Sequence, residues 1–201
     1  LAFSPDGRYL ATASGDGTAG VWETQNGRQI ACLTGGGSVW AIAFSPDGRY
    51  LATAGDDQAA RLWKMPDKTS LFCLPHFGPV YTVAVSPDGR SIATGSLDGT
   101  AMVLASINDQ EKGEKTTIKG QLKAYVSHQK RIIAIALSPD GRYLATASAD
   151  HTAGVCRLSD GRLLHSLKHE EEVVDVAFSP DSNYLATASS DHTAGAVSYT
   201  H

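Results

Sequence analysis

A threonine and an aspartate recur together five times along the chain, and a histidine precedes three of the copies. The aspartate always stands four residues after the threonine. The members are Thr12, Thr53, Thr94, Thr146 and Thr187, then Asp16, Asp57, Asp98, Asp150 and Asp191, with His76, His128 and His169. These residue types together can form a nucleophile, a base and an orienting acid. Catalysis needs one such centre, whereas five copies in register indicate a part that every unit of the fold requires. We therefore predict no catalytic residue and no enzymatic activity.

Two other motifs resemble ligand sites but stand in the wrong structural context. Gly15 to Gly20 matches the Gly-x-Gly-x-x-Gly nucleotide signature, yet a strand pattern follows where a dinucleotide site needs a helix. His165 and His169 are four residues apart, a metal-binding spacing only on a helix face. We expect neither a cofactor nor a metal.

Cysteine usage and charge limit the classes of function. The three cysteines do not form a disulfide framework, which indicates a reducing compartment, and we expect the cytoplasm. The formal net charge of −4 gives no basic surface for nucleic acid. No apolar run approaches the length of a membrane-spanning helix. We therefore predict a protein that binds neither nucleic acid nor membrane.

An internal repeat must position the recurring residues. The ten residues SPDGRYLATA stand at 4–13, 45–54 and 138–147, and looser copies begin at Ser86 and Ser179. Their prolines are 41, 41, 52 and 41 residues apart, so one period contains an insertion of 11 residues. Repeats of about 40 residues are typical of solenoids and propellers, whose units bury a core by stacking.

The pattern within each unit alternates with period two, as in Val80-Tyr81-Thr82-Val83, which predicts strands. Ser-Pro-Asp-Gly supplies a proline and a glycine at turn positions and closes a hairpin. Turn signals at the repeated aspartate and at Asn26-Gly27 divide the rest of the first unit. Four short strands per unit follow, and the fold class is all-β.

The repeat resembles the WD-repeat β-propeller family, particularly its highly repetitive prokaryotic members. The Trp-Asp dipeptide of that family survives in part as Trp22-Glu23 and Trp63-Lys64, and its Gly-His pair in part as the three histidines. The resemblance implies a structural network in which the aspartate orients the histidine, the histidine meets the threonine, and the threonine meets a tryptophan such as Trp63. No unit of this chain has all four members, so we expect a weaker network.

The resemblance covers the whole chain and predicts five four-stranded antiparallel blades in one domain, 1–201. The units run over about 1–34, 35–75, 76–127, 128–168 and 169–201, with the insertion near 105–121. The last unit stops after its third strand, and we expect these blades to belong to a longer, seven-bladed propeller. The insertion is polar and is interpreted as a solvated hairpin extension.

The resemblance also implies a function and a binding face. In this family partners bind at the edge formed by the loops before the first strand and the turns between the second and third strands. The corresponding residues here include Trp40, Asp56, Tyr81, Arg131 and Glu172. We expect a non-catalytic protein-interaction scaffold whose partners are other proteins or domains of the same longer polypeptide. The alternative is an enzyme or small-molecule binder that uses the central channel.

Overall fold

The computed structural model describes residues 1–65, 67–105 and 121–199, and all regular structure in these ranges is β-strand. The hairpin extension predicted within 105–121 therefore lies almost entirely outside the described residues. No helix of the described part of the chain is long and apolar enough to cross a membrane.

In these described ranges nineteen strands form five sheets in chain order, and every pairing is antiparallel. Sheet 1 contains β1 (Ala2–Phe3), β2 (Tyr9–Ala13), β3 (Thr18–Glu23) and β4 (Gln29–Thr34). Sheet 2 contains β5 (Val39–Phe44), β6 (Tyr50–Gly55), β7 (Ala59–Lys64) and β8 (Thr69–Pro75). Sheet 3 contains β9 (Val80–Val85), β10 (Ser91–Ser96), β11 (Thr100–Ala105) and β12 (Gln121–Ser127). Sheet 4 contains β13 (Ile132–Leu137), β14 (Tyr143–Ser148), β15 (Thr152–Arg157) and β16 (Leu163–Lys168). Sheet 5 contains β17 (Val173–Phe178), β18 (Tyr184–Ser189) and β19 (Ala194–Ser198), so it has three strands among the described residues instead of four.

Hydrogen bonds of a serine side chain close the hairpin between the first two strands of each sheet. In sheet 1 the Ser4 hydroxyl donates to Asp6 at 2.6 Å and accepts from the backbone N–H of Tyr9 at 2.9 Å. Gly7 takes a φ of 68°, which favours glycine. In sheet 5 the corresponding residue is Ser182 with a φ of 59°. A residue with a side chain is less stable than glycine in this left-handed backbone conformation.

A β-bulge interrupts the innermost strand of sheets 2 to 5 near its start. In sheet 2, Val39 pairs with Gly55 and Ala41 with Ala54, which leaves Trp40 as the extra residue. Tyr81 is the extra residue of sheet 3, between the pairs Val80–Ser96 and Thr82–Gly95. Side chains of a regular strand alternate between the two faces of the sheet. A bulge interrupts this alternation and changes the direction in which the side chain of the extra residue points. The same break occurs at residue 133 in sheet 4 and residue 174 in sheet 5.

The core lies between consecutive sheets. Sheet 4 presents a face of small residues that includes Ala145 and Ala153, and the larger Val173, Val176 and Leu185 of sheet 5 pack against it. The innermost strands also meet, since β5 contacts β9, β9 contacts β13 and β13 contacts β17. Small side chains on one face let the next sheet approach closely, so the stacked repeats bury a continuous core.

Candidate functional site

The repeated His, Thr and Asp meet in sheet 3 as a closed network. His76 Nε2 lies 2.9 Å from Thr94 Oγ1, and His76 Nδ1 lies 3.1 Å from Thr100 Oγ1. The Thr100 hydroxyl donates to Asp98 at 2.6 Å, and Asp98 Oδ2 is 3.7 Å from His76 Nδ1. The histidine side chain is fully buried. Every polar atom of this cluster thus has an internal partner, as a buried polar group requires.

Sheets 4 and 5 repeat this network. His128 Nδ1 lies 3.0 Å from Asp150 Oδ2 and Nε2 lies 2.8 Å from Thr146 Oγ1. An ionised carboxylate can only accept, so His128 Nδ1 carries a proton and donates to Asp150. In sheet 5 the same three contacts are His169 Nδ1 to Asp191 Oδ2 at 3.4 Å, His169 Nδ1 to Thr193 Oγ1 at 3.1 Å and His169 Nε2 to Thr187 Oγ1 at 2.9 Å.

Tryptophan takes the place of histidine in the first two sheets. Trp22 Nε1 donates to Thr12 Oγ1 at 3.0 Å, and Trp63 Nε1 donates to Thr53 Oγ1 at 2.9 Å. Each repeated threonine therefore has one ring nitrogen as partner, from the third strand in sheets 1 and 2 and from the preceding loop in sheets 3 to 5. Tryptophan serves the first two sheets and histidine the last three, and the two rings do not bond to the same threonine in any described sheet.

Asp57 of sheet 2 has no histidine beside it, because Gly35 stands at that position. The Arg61 side chain fills the role and forms an ion pair with Asp57 Oδ2. Asp57 Oδ2 also accepts from the backbone N–H of Gly36 at 2.7 Å. The Asp57 carboxylate thus has a side-chain partner from β7, and the structure compensates within sheet 2 for the missing histidine.

Sequence reasoning missed Arg61 and also the threonine two residues after the aspartate. Asp98 Oδ1 accepts from both the hydroxyl and the backbone N–H of Thr100, at 2.6 and 2.8 Å. The signal was present in the sequence as a repeated Asp-x-Thr, found as Thr18, Thr100, Thr152 and Thr193, with Ala59 in sheet 2. These hydrogen bonds fix the carboxylate in its turn.

Burial and hydrogen bonding act in opposite directions on the pKa of Asp98. Burial alone would raise the pKa, but the hydrogen bonds from Thr100 and from the Phe77 backbone, together with the nearby His76, hold it below its ordinary 3.8. Burial lowers the pKa of His76 below 6.5, and the attraction of Asp98 only partly opposes this. Near neutral pH the pair is a carboxylate beside a neutral imidazole.

The second candidate region is the exposed sheet edge that carries Trp40, Asp56, Tyr81, Arg131 and Glu172, which we call the rim. Trp40 is 53% exposed and Tyr81 36% exposed, although both belong to inner strands. Their rings meet edge to face with centroids 6.1 Å apart, and Trp40 Nε1 donates to Asp56 Oδ1 at 2.6 Å. The two bulges direct both rings to this edge, and Asp56 holds the indole in place.

Opposite charges meet farther along the rim. Arg131 of sheet 4 donates to Glu172 of sheet 5 at 3.0 Å, and both side chains are partly exposed. These residues occupy the same position of consecutive units. An exposed pair of this kind adds only about 0–1 kcal/mol to stability. Either side chain can therefore leave this ion pair and form one with a charged group of another molecule.

Backbone hydrogen bonds fix the rim by joining each preceding loop to the turn between the second and third strands. The N–H of Asp56 donates to Ser38 O at 2.9 Å, and the N–H of Ala149 donates to Arg131 O at 3.0 Å. The N–H of Ser190 likewise donates to Glu172 O at 2.9 Å. Loop and turn thus share one edge in sheets 2 to 5, and a rigid frame carries the variable side chains.

Five consecutive antiparallel sheets, stacked through their inner strands and each with its repeated threonine bonded to a ring nitrogen, define a segment of a β-propeller. The family model described as WD domain, G-beta repeat matches residues 1–23, 27–64, 68–103, 119–155 and 161–194. These five matches take in most of the chain, and the protein belongs to the WD-repeat family. Comparison with curated protein sequences gave no match. Membership of this family supports a general role in protein–protein interaction.

Proposed function

We propose that this chain is a non-catalytic protein-interaction scaffold that binds its partner at the rim. The observation that carries the proposal is the exposed aromatic pair of Trp40 and Tyr81, fixed by Asp56. Tryptophan, tyrosine and arginine are the residue types enriched at interface hot spots. Two rings held in place before binding lose little conformational entropy when a partner covers them.

The charged pair would contribute in another way. Arg131 and Glu172 lie on sheets 4 and 5, whereas the aromatic pair lies on sheets 2 and 3. Charges at the edge of an interface mainly set orientation and association rate, while buried aromatic anchors supply affinity. A suitable partner therefore presents an apolar group to the rings and polar groups of both signs beside it.

The repeated network supports a scaffold over an enzyme. Its hydroxyl, imidazole and carboxylate groups bond to one another in sheets 3, 4 and 5 in the same way, so they stabilise turns instead of forming one reactive centre. We further propose a cytoplasmic protein, a location consistent with the exposed thiols of Cys32 and Cys73, which a reducing compartment keeps free. The partners are other proteins or domains of the same polypeptide, and neither nucleic acid nor membrane.

Affinity capture with matched variants tests the proposal. The wild-type chain, Trp40→Ala and Tyr81→Ala are each immobilised and exposed to lysate of the source organism, and retained proteins are quantified by mass spectrometry. The control is Tyr125→Ala, which removes from the outer strand β12 an aromatic ring about as exposed as that of Trp40. We expect a protein that wild type and Tyr125→Ala retain and that both rim variants lose. Equal retention by all four proteins would contradict the rim as the binding face.

A further inference from the structure

A groove of about 1020 Å³ lies at the sheet edge opposite to the rim. It is bordered by β12 of sheet 3, by the two hairpins of sheet 4 and by Tyr199. The hairpins joining first to second and third to fourth strands reach this edge, whereas the rim uses the remaining connections. The groove is therefore separate from the proposed partner site.

Cationic side chains gather in this groove. They are Lys123, Arg142, Arg157 and Arg162, with His165 beside them. Of the described residues that line the groove, none is acidic. The whole chain carries a net charge of −4, so the positive charge here is a local feature that the composition does not explain.

Comparison with sheet 1 shows how the fourth unit differs. Positions 142, 157 and 162 correspond to Arg8, Glu23 and Arg28. In sheet 1 Arg28 donates to Glu23 at 3.0 Å, which pairs the charges within the hairpin. In sheet 4 an arginine replaces that glutamate, and none of the other four units has arginine at all three positions. The acid of this hairpin stands instead at Asp160, where sheet 1 has Asn26, and the three arginines outnumber it. An excess of like charge is unfavourable in the free protein, and such local conflicts commonly mark functional sites.

Nearby acids neutralise only part of this charge. Asp140 Oδ2 is 3.6 Å from Arg142 Nε, and Asp160 Oδ2 is 3.4 Å from Arg157. Both pairs are solvent-exposed and therefore weak. The Asp88 carboxylate lies close enough to Lys123 to interact with its charge, although neither Lys123 nor Arg162 forms an ion pair with a described residue. The cations of the groove are therefore only partly neutralised.

We propose that this groove binds an acidic peptide segment of a partner protein. Guanidinium groups match the planar geometry of carboxylates and bind them with two parallel hydrogen bonds. The groove spans three sheets, and its volume is at the upper end of the roughly 300–1000 Å³ of small-ligand pockets, which suits several residues of extended chain. Leu122, 53% exposed, and Leu164 place apolar surface among the cations for the aliphatic parts of glutamate side chains.

The test uses a fluorescein-labelled peptide of six glutamates and fluorescence anisotropy. The Lys123→Ser/Arg162→Ser double variant removes two groove cations that form no ion pair with a described residue, and circular dichroism checks that it folds. We expect the peptide to bind the wild-type chain and to bind the double variant at least about tenfold more weakly, since a hydrogen bond to a charged group contributes about that factor. Binding should also weaken as salt is added.

A matched control variant distinguishes binding in the groove from attraction to the overall charge of the protein. Arg8→Ser/Arg28→Ser lowers the net charge by the same amount at the equivalent hairpins of sheet 1, and we expect it to keep wild-type affinity. Equal weakening in both double variants, or no binding by the wild-type chain, would overturn the proposal. Binding of inorganic phosphate in place of the peptide would also overturn it and assign the groove to small anions. Trp40→Ala should leave peptide binding intact, so this result is independent of the rim.

Discussion

Trp40 and Tyr81 occupy the same bulge position in adjacent sheets, and their rings meet at 6.1 Å in an edge-to-face arrangement. An unbroken strand would alternate its side chains regularly between two sheet faces, and the extra residue escapes that pattern. The bulge therefore turns an inner-strand residue into a surface residue. This exposure is the basis of the binding role proposed for the rim.

The first prediction follows from that exposure. Trp40→Ala should lower partner affinity by about 2 kcal/mol or more if the ring is a hot spot, while changing the free energy of unfolding by less than about 1 kcal/mol. Trp63→Ala, which removes the bond to Thr53 and core packing, should cost about 3 kcal/mol of stability. Urea denaturation and affinity capture measure the two effects. A large loss of stability in Trp40→Ala would show that the ring is structural.

The second prediction concerns Asp98, which accepts hydrogen bonds from Thr100 and Phe77. Asp98→Ala leaves these donors and His76 without their acceptor, so we expect a loss of about 1–3 kcal/mol in the free energy of unfolding. Asp67→Ala, at an exposed turn, is the control and should leave stability unchanged. Stability intact in Asp98→Ala, together with lost binding, would make the network functional instead of structural.

The third prediction is a double-mutant cycle in sheet 2. Arg61→Gly removes the cationic partner of Asp57 and should destabilise the fold. Gly35→His, combined with Arg61→Gly, places a histidine at the position that His76 holds in sheet 3 and a glycine where sheets 1, 4 and 5 have one. We expect the double variant to regain stability, with a coupling of about 0.5–3 kcal/mol between the two positions. Purely additive effects in thermal denaturation would refute the compensation.

The fourth prediction is loss of stability in acid. The pKa values of Asp98 and His76 both lie below their ordinary values in the folded protein, so the unfolded chain binds more protons as pH falls. Each group therefore stabilises the fold fully above its ordinary pKa, 6.5 for His76 and 3.8 for Asp98, and this contribution is lost as pH falls through the lower folded value.

Urea denaturation at a series of pH values measures this effect. His76→Gln should flatten the dependence of stability on pH below about 6.5, and Asp98→Asn should flatten it below about 4. Tyr125→Ala, which changes no titrating group of the network, should reproduce the wild-type profile. A stability that rises on acidification would contradict the assigned directions.

The sequence by itself determined the repeat and the number of sheets. Five copies of the Ser-Pro-Asp turn with period-two flanks predict the hairpins, because proline and glycine restrict turn geometry locally. The resemblance carried by Trp63 and His76 led to the WD-repeat family, which the family model confirms. The polar network was implied by the same resemblance, which places the repeated aspartate, histidine and threonine in contact.

Only the tertiary structure decided which residues that are distant in the sequence come into contact. Arg61 beside Asp57, and arginines 142, 157 and 162 around one groove, depend on how strands pair and how neighbouring sheets pack. The exposure of Trp40 depends on a register shift of one residue, which the alternating pattern does not reveal. Local sequence fixes turns and strands because their interactions span few residues. Register and packing depend on interactions between distant segments, which three-dimensional contact selects.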